Sequence, residues 1–258
     1  MKIRIYDSLD RLISEKSSIS NQQSEILYSY DLTGNRTNKT ENGTNTSYTL
    51  GQGNRLASSS SADLNATYGY NSAGCVTNIT YTGSGNNENI GLSWNGQYQL
   101  TEVTTNGTAV ERNGFDALGR RAWNASINSA QVWETNYFIC DGVHVLAEVD
   151  STGGLKRAYT HGPGVDNWLA MTVYTGATVK TYFYLTDHQG TVHAVADETG
   201  SIAESYRYDA GGRVIGVYDS NNQQLNNSAI GNRYLWQGRE YSWKTGLYFF
   251  RARWYDPI

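Results

Sequence analysis

The sequence predicts an all-β chain of antiparallel hairpins, and three observations carry that reading. A short phrase, aromatic-Asp-x-x-Gly, recurs along the 258 residues. Between its copies lie β-branched and aromatic runs such as LYSY (27–30), KTYFYL (180–185), SYRY (205–208) and VIGVY (214–218), the composition of strands. No stretch of about a dozen residues spaces its apolar side chains by three and four, as an amphipathic helix would.

In chain order, YDSLDRL (6–12) opens the series with Asp10 where glycine is expected. YDLTGNR (30–36) is the fullest copy, with Tyr30, Asp31, Gly34 and Arg36. YTLGQGNRL (48–56) is two residues longer, and YNSAGCV (70–76) keeps Tyr70 and Gly74. WNGQYQL (94–100) moves its glycine forward to Gly96. FDALGRR (115–121) supplies Phe115, Asp116, Gly119 and Arg120, and YDAGGRV (208–214) supplies Tyr208, Asp209, Gly212 and Arg213. The leading aromatics Tyr6, Tyr30, Tyr48, Tyr70, Trp94 and Phe115 lie 18 (30 to 48) to 24 (6 to 30) residues apart. About 20 residues is two strands and two turns.

The phrase reads as a hairpin turn. Aspartate at its first position caps the loop through its carboxylate, and glycine three residues later takes the favoured site of a type I turn. The aromatic ends the incoming strand, where its ring is expected to stack on the ring of the next repeat. Arg36, Arg120 and Arg213 are expected to begin the outgoing strands and to cover an aromatic face or pair with a neighbouring turn's aspartate. These residues are read as structural.

Composition agrees with a thin sheet wetted on both sides. Hydrophobic residues make up 38%, against 20 Tyr, 7 Trp, 5 Phe, 27 Gly and 2 Pro; roughly 45–50% apolar is usual when glycine is included. Aliphatic mass has been exchanged for amphipathic rings that pack through the ring and keep a polar tip. The net charge of −4 comes without blocks of like charge, which argues against nucleic acid or an anionic membrane as partner. No apolar run reaches the roughly 18 residues of a membrane span. MKIRIYDSLDR enters structured sequence without the apolar core of a signal peptide. That suits either a cytoplasmic protein or, the preferred reading, a piece of a longer one whose targeting signal lies elsewhere.

These phrases resemble the YD (tyrosine-aspartate) repeats of the RHS family, and two later stretches sharpen the likeness. YLTDHQGTVHAVADETGSIAESYRYDAGGRV (184–214) resembles the family's series of strands joined by Asp-His-x-Gly and Asp-x-x-Gly turns, here through Asp187, His188 and Gly190. GLYFFRARWYDP (246–257) resembles the signature that ends the RHS-associated core, placing Gly246, Tyr248, Arg251, Arg253, Tyr255, Asp256 and Pro257 within it. The likeness covers nearly the whole chain and divides it into YD repeats (1–123), divergent repeats (124–183) and a core segment (184–258) truncated at its C-terminal end.

The resemblance implies a long β-ribbon spiralling into a hollow shell, of which this chain would be a partial wall. In bacterial RHS proteins and insecticidal toxin-complex components such a shell encloses a C-terminal toxin; in teneurins related repeats form an adhesion scaffold. The expected role is therefore a structural segment of a polymorphic-toxin carrier, secreted or at the cell surface as part of a larger protein. Its expected partners are the rest of that shell and its toxin cargo. In the family, autoproteolysis frees the toxin, and the acidic residues proposed for it lie mainly beyond the YDP. This sequence stops at Asp256-Pro257-Ile258, so no self-cleavage by it is expected; catalytic residues, metal and cofactor are each expected to be none.

Other chemistry is weaker. Asp187, His188, His193 and Asp197 suggest a metal site by type, but positions 188 and 193 of an unbroken strand face opposite ways. Cys75 and Cys140 read as separate thiols, with a disulfide as the alternative. Phe249, Arg251, Arg253 and Tyr255 would share one face of a terminal strand, and Tyr248, Phe250, Ala252 and Trp254 the other. Trp94, Trp123, Trp133, Trp168, Trp236, Trp243 and Trp254 would serve an alternative role, a cell-surface glycan-binding or adhesion scaffold. Burying a ring is worth roughly 4–6 kcal/mol before entropy, which favours most of them as wall.

Overall fold

The computed structural model describes residues 2–19, 22–83, 87–128 and 130–257. Among them lie 24 β-strands and two three-residue 3-10 turns, with no α-helix. The chain forms two compact units, one of residues 1–94 with 104–108, the other of residues 95–103 with 109–258.

Each unit is an antiparallel meander in which a strand pairs with the next along the chain. In the first unit Tyr30 pairs with Arg36 across the turn between Gln22–Tyr30 and Arg36–Glu41, and Tyr70 pairs with Val76 in the same manner. Because direction alternates, the loops at 7–11, 31–35, 51–55 and 71–75 fall on one edge of that unit. The opposite edge carries the two-residue turn Asn42-Gly43, with φ of 49° and 86°. That pair of left-handed residues makes the turn whose twist matches a hairpin.

The core of the first unit is lean: Ile26, Tyr28, Ala66, Ile79 and Leu92 are buried beside Glu15 and the stem of Lys39. The second unit is denser. Strand Ile202–Tyr208 turns Glu204, Tyr206 and Tyr208 to one face, and that face joins Tyr159, Trp168, Met171, Tyr182, Tyr184, Val192, Val195 and Val217 in an aromatic core. The other face of the same sheet is wet: Phe183 and Leu185, paired with Ala196 and Ala194, are each 46% exposed.

The end of the chain departs from the expected continuous strand. Tyr248 pairs with Tyr255 and Phe249 with Trp254, so 246–257 is a hairpin, turned at Arg251 with φ 60°. The face partition that a straight strand would give to Arg251 and Arg253 therefore does not hold. Arg251 reaches inward to Asp166 (2.6 Å), while Arg253 is exposed.

Candidate functional site: the turn ladder and its aromatic cover

The turn phrase forms a five-residue loop with a fixed set of bonds. Asp31 Oδ1 accepts the N–H groups of Thr33 and Asn35, both at 2.9 Å. The Asp31 N–H donates to the Asn35 carbonyl (2.9 Å), and the Gly34 N–H donates to the Asp31 carbonyl (3.2 Å). The side chains of Asn35 and Thr33 add further bonds, which hold the Asp31 carboxyl down at about 2. Asp116, Asp187 and Asp209 repeat the pattern with their own amides. So do Asn128, Asp150 and Asp219, which the phrase does not mark.

Several sequence assignments shift by a residue or two. Arg36 is the first residue of its strand, whereas Arg120 and Arg213 occupy the last position of the loop, before strands that begin at Arg121 and Val214. Each returns to its own turn's aspartate, Arg120 Nε to Asp116 at 2.7 Å and Arg213 Nε to Asp209 at 3.3 Å. The longer phrase at 48–56 has an ordinary five-residue loop, 51–55, so its strand ends on Leu50 rather than Tyr48. In WNGQYQL the left-handed position is taken by Tyr98 (φ 61°), not by Gly96.

Four of the leading aromatics reach back to the preceding turn on their edge. Tyr30 OH donates to the Leu12 carbonyl, Tyr70 OH to Leu56 and Tyr208 OH to Val192, each at 2.7 Å. Trp94 Nε1 does the same to Val76 at 2.6 Å. Every acceptor is the first residue of the strand leaving that turn. The expected ring-on-ring stacking is replaced by arginine. Arg11 lies 5.1 Å from the Tyr30 centroid, Arg36 4.4 Å from Tyr48 and Arg55 5.5 Å from Tyr70. Equivalent turns are two strands apart, about 10 Å, beyond the reach of stacked rings at 4.5–7 Å; a guanidinium fills the gap.

In the second unit the C-terminal signature closes on the last YD turn. Tyr248 OH donates to the Gly212 carbonyl (2.9 Å) and Tyr255 OH to Gly211 (2.7 Å). Trp236 stacks on Tyr255 with centroids 5.5 Å apart, and the backbone of Gly212 (φ 87°) touches the Trp236 ring. Gly246 (φ 74°) turns the chain into this hairpin, and buried Pro257 follows Asp256 at its end. Phe115 meets Phe249 at 6.4 Å. Trp168 donates Nε1 to the Gly238 carbonyl (2.8 Å) and Trp243 to the Asn232 carbonyl (2.7 Å). These tryptophans, with Trp236 and Trp254, pack against the cover, whereas Trp133 is 38% exposed under Arg112.

Beneath the cover lies a buried charge network that the phrase analysis missed. Glu148, with no exposed surface, takes Arg233 Nη2 at 2.5 Å, Arg157 Nη1 at 3.1 Å and the Tyr159 hydroxyl at 2.5 Å. Burial works to raise its pKa, but the two guanidiniums and the hydroxyl outweigh it and bring it to about 2. Arg233 also meets Glu240 (3.6 Å), which pairs with Arg121. Glu111 bonds Ser242 and Asn113, and burial pushes its carboxyl up despite them. Glu204 binds the Tyr206 hydroxyl (2.6 Å), the Ser228 hydroxyl (2.7 Å) and two amides. The parity of Glu204 with Tyr206 and Tyr208 was legible in the strand; the partners of Glu148, supplied from position 233, were not.

The residues of the suggested metal site do not converge. His193 Nε2 lies 3.2 Å from Asp187 Oδ2, His188 is exposed, and Asp197 serves its own turn. Among the described residues no three His, Cys, Asp or Glu side chains are placed to hold a metal ion. Cys75 and Cys140 are free thiols.

A meander whose turns, rungs and cover come from one repeated phrase and one terminal signature defines a tandem-hairpin repeat protein. The chain belongs to the Teneurin YD-shell family, whose model matches residues 2–258. It is 28% identical to tRNA nuclease WapA of Bacillus subtilis (strain 168) over 98% of this chain and 10% of that protein. It is 26% identical to double-stranded DNA deaminase toxin A of Burkholderia cenocepacia (strain H111) over 98% of this chain and 18% of that protein. The chain thus spans between a tenth and a fifth of the length of these two relatives. The crystal structure of TcdB2-TccC3 matches 99% of this chain and 17% of that one at 15% identity, with a TM-score of 0.49.

Two measurements check this geometry. In Gly212→Ala the new Cβ would lie 2.4 Å from the Trp236 ring at a left-handed φ, so urea unfolding is expected to show a loss of roughly 2–6 kcal/mol. Gly200→Ala, with φ 84° and open space around it, should lose only the conformational part, about 1–3 kcal/mol. Equal losses would remove the role of the Trp236 contact.

The two buried acids respond to pH with opposite signs. Glu148, depressed in the fold, contributes stability that is present above its unfolded pKa near 4.5 and is lost as pH falls towards about 2. Glu111, raised in the fold, contributes in the other sense, and stability drains as pH climbs above 4.5. Glu111→Gln should therefore stabilise the protein at pH 8 relative to wild type and show little effect at pH 4. Glu148→Gln should cost about 3–5 kcal/mol at pH 7, as removal of one partner from a buried pair does. Thermal unfolding from pH 3 to 8 reads both.

Proposed function

We propose that this chain is a structural wall segment of an RHS/YD-repeat carrier, a protein whose β-shell encloses or displays a C-terminal effector acting on other cells. One observation carries the reading: the turn carboxylates of the phrases are spent on their own loops and the ring hydroxyls on joining one hairpin to the next. An aspartate whose two oxygens are filled by its own loop is poorly placed to abstract a proton.

The relatives support the carrier role through their names and lengths. One is named a tRNA nuclease and another a double-stranded DNA deaminase toxin, yet this chain aligns with only 10% and 18% of them. Two activities so different, shared with one aligned stretch, are best assigned to parts outside it. The stretch here is the common wall and is not itself an enzyme. Its partners are the remainder of the shell and the effector, and it works outside the producing cell as part of the larger protein.

The test is to express the full reading frame that encodes this chain, record its intact mass, and follow proteolysis of whatever lies beyond the core signature. The expected result is a product split shortly after that signature, with the released part resisting protease until the shell unfolds. A frame that ends at Ile258, or a whole product whose C-terminal part is digested as fast as the same part made alone, would rule the carrier out.

A further inference from the structure

In the second unit the C-terminal cover leaves a cavity of about 400 Å³. Phe115, Phe138, Val145, Trp168 and Phe249 give it apolar walls, and Arg121, Arg239 and Arg251 bring guanidiniums to it. Such a mixture, mostly apolar with a few convergent polar groups, is the usual make-up of a small-molecule site.

Two further facts point to what fills it. Arg121 Nε, Arg239 Nε, Trp254 Nε1 and the Tyr234 hydroxyl are buried without a hydrogen-bond partner among the described residues, and all four residues line this cavity. Tyr234 and Arg121 are the more enclosed, at 3% and 6% exposed. Natural interiors seldom leave such donors unmet, and an unexplained one calls for a further acceptor. The carboxylates are also too few. Asp166 is divided between Arg239 (2.9 Å) and Arg251 (2.6 Å), and Glu240 between Arg121 and Arg233. Apart from Arg120, which is paired with Asp116 of its own turn, three arginines thus face the cavity against two shared carboxylates, so it favours an added negative charge.

We propose that this cavity binds a small organic monoanion with an aromatic or bulky apolar body. Its carboxylate-like head accepts from the N–H groups that the walls leave unpartnered, and its body packs against the phenylalanines and Trp168. The inference stands apart from the carrier role, since it concerns only this cavity.

Indole-3-propionate and its primary amide serve as probes, since they differ in charge but hardly in shape. Calorimetry of the intact chain is expected to show one saturable site for the carboxylate and at least tenfold weaker binding of the amide. Arg239→Gln should weaken the carboxylate about tenfold, and Ala252→Trp, at an exposed position on the cavity wall, should block it. A readout without variants comes from Cys140, which lines the cavity while Cys75 does not. The carboxylate should slow iodoacetamide labelling of Cys140 severalfold and leave Cys75 unchanged. No saturable binding at millimolar probe, equal binding of the amide, or equal protection of both thiols would each overturn the proposal.

Discussion

The structure depends first on the bond between a turn carboxylate and the amides of its own loop. A hairpin that ends in a five-residue loop turns several N–H groups towards water, and an aspartate at the first position takes two of them. It holds a five-residue loop, beside which the register shifts by one at the strand end, between Ser29 and Tyr30 and again between Arg207 and Tyr208. The shift brings the aromatic before the aspartate opposite the residue that follows the loop. From there its hydroxyl reaches the carbonyl at the start of the strand before it. Loop length, register and rung are one constraint seen at three points.

A sheet made this way cannot have a greasy interior, because polar tips project at every rung. The chain meets that condition by pairing rings with guanidiniums instead of with aliphatic side chains, as Arg36 does with Tyr48 and Arg207 with Tyr218 at 4.3 Å. Where charges sink below the surface they stay in groups: Glu148 is held by Arg157 and Arg233, and Arg233 leads on to Glu240 and Arg121. Carboxylates in such a setting are tolerated because each has several donors, and removing one partner exposes the whole desolvation cost. The 38% hydrophobic content is thus a consequence of how the hairpins are joined.

Much of this was legible in the sequence. The turn at Asp31 and Gly34 and the absence of long helices follow from local chemistry, and local chemistry is what a short phrase records. The partner of each ring was not legible. The rungs connect residues 14 to 18 positions apart, as Tyr70 with Leu56 and Tyr30 with Leu12, and spacing gives their existence but not whether a ring or an arginine fills the interval. Arg120 was misplaced by a single residue, because an arginine at the last loop position and one at the first strand position look alike in a heptamer. Arg251 was misread for a different reason: aromatic alternation suggested strand where the chain in fact turns. The Glu148 network left no local trace, since its charges come from strands and loops far apart.

The two motifs divide the work between extension and closure. A phrase binds only its neighbours, as repeat units do, and nothing within it says where the series should stop. The terminal signature binds at long range: Tyr248 to Gly212, Tyr255 to Gly211 and Arg251 to Asp166. It therefore covers residues that further repetition would leave open, among them the aromatic core around Tyr208 and Trp168. A ribbon of phrases alone would present that face to water. The signature is non-repetitive because covering a face once is a different task from adding one more hairpin, and its tyrosines and arginines are the residues able to bury an apolar stem or ring while keeping a bond to the polar wall beneath.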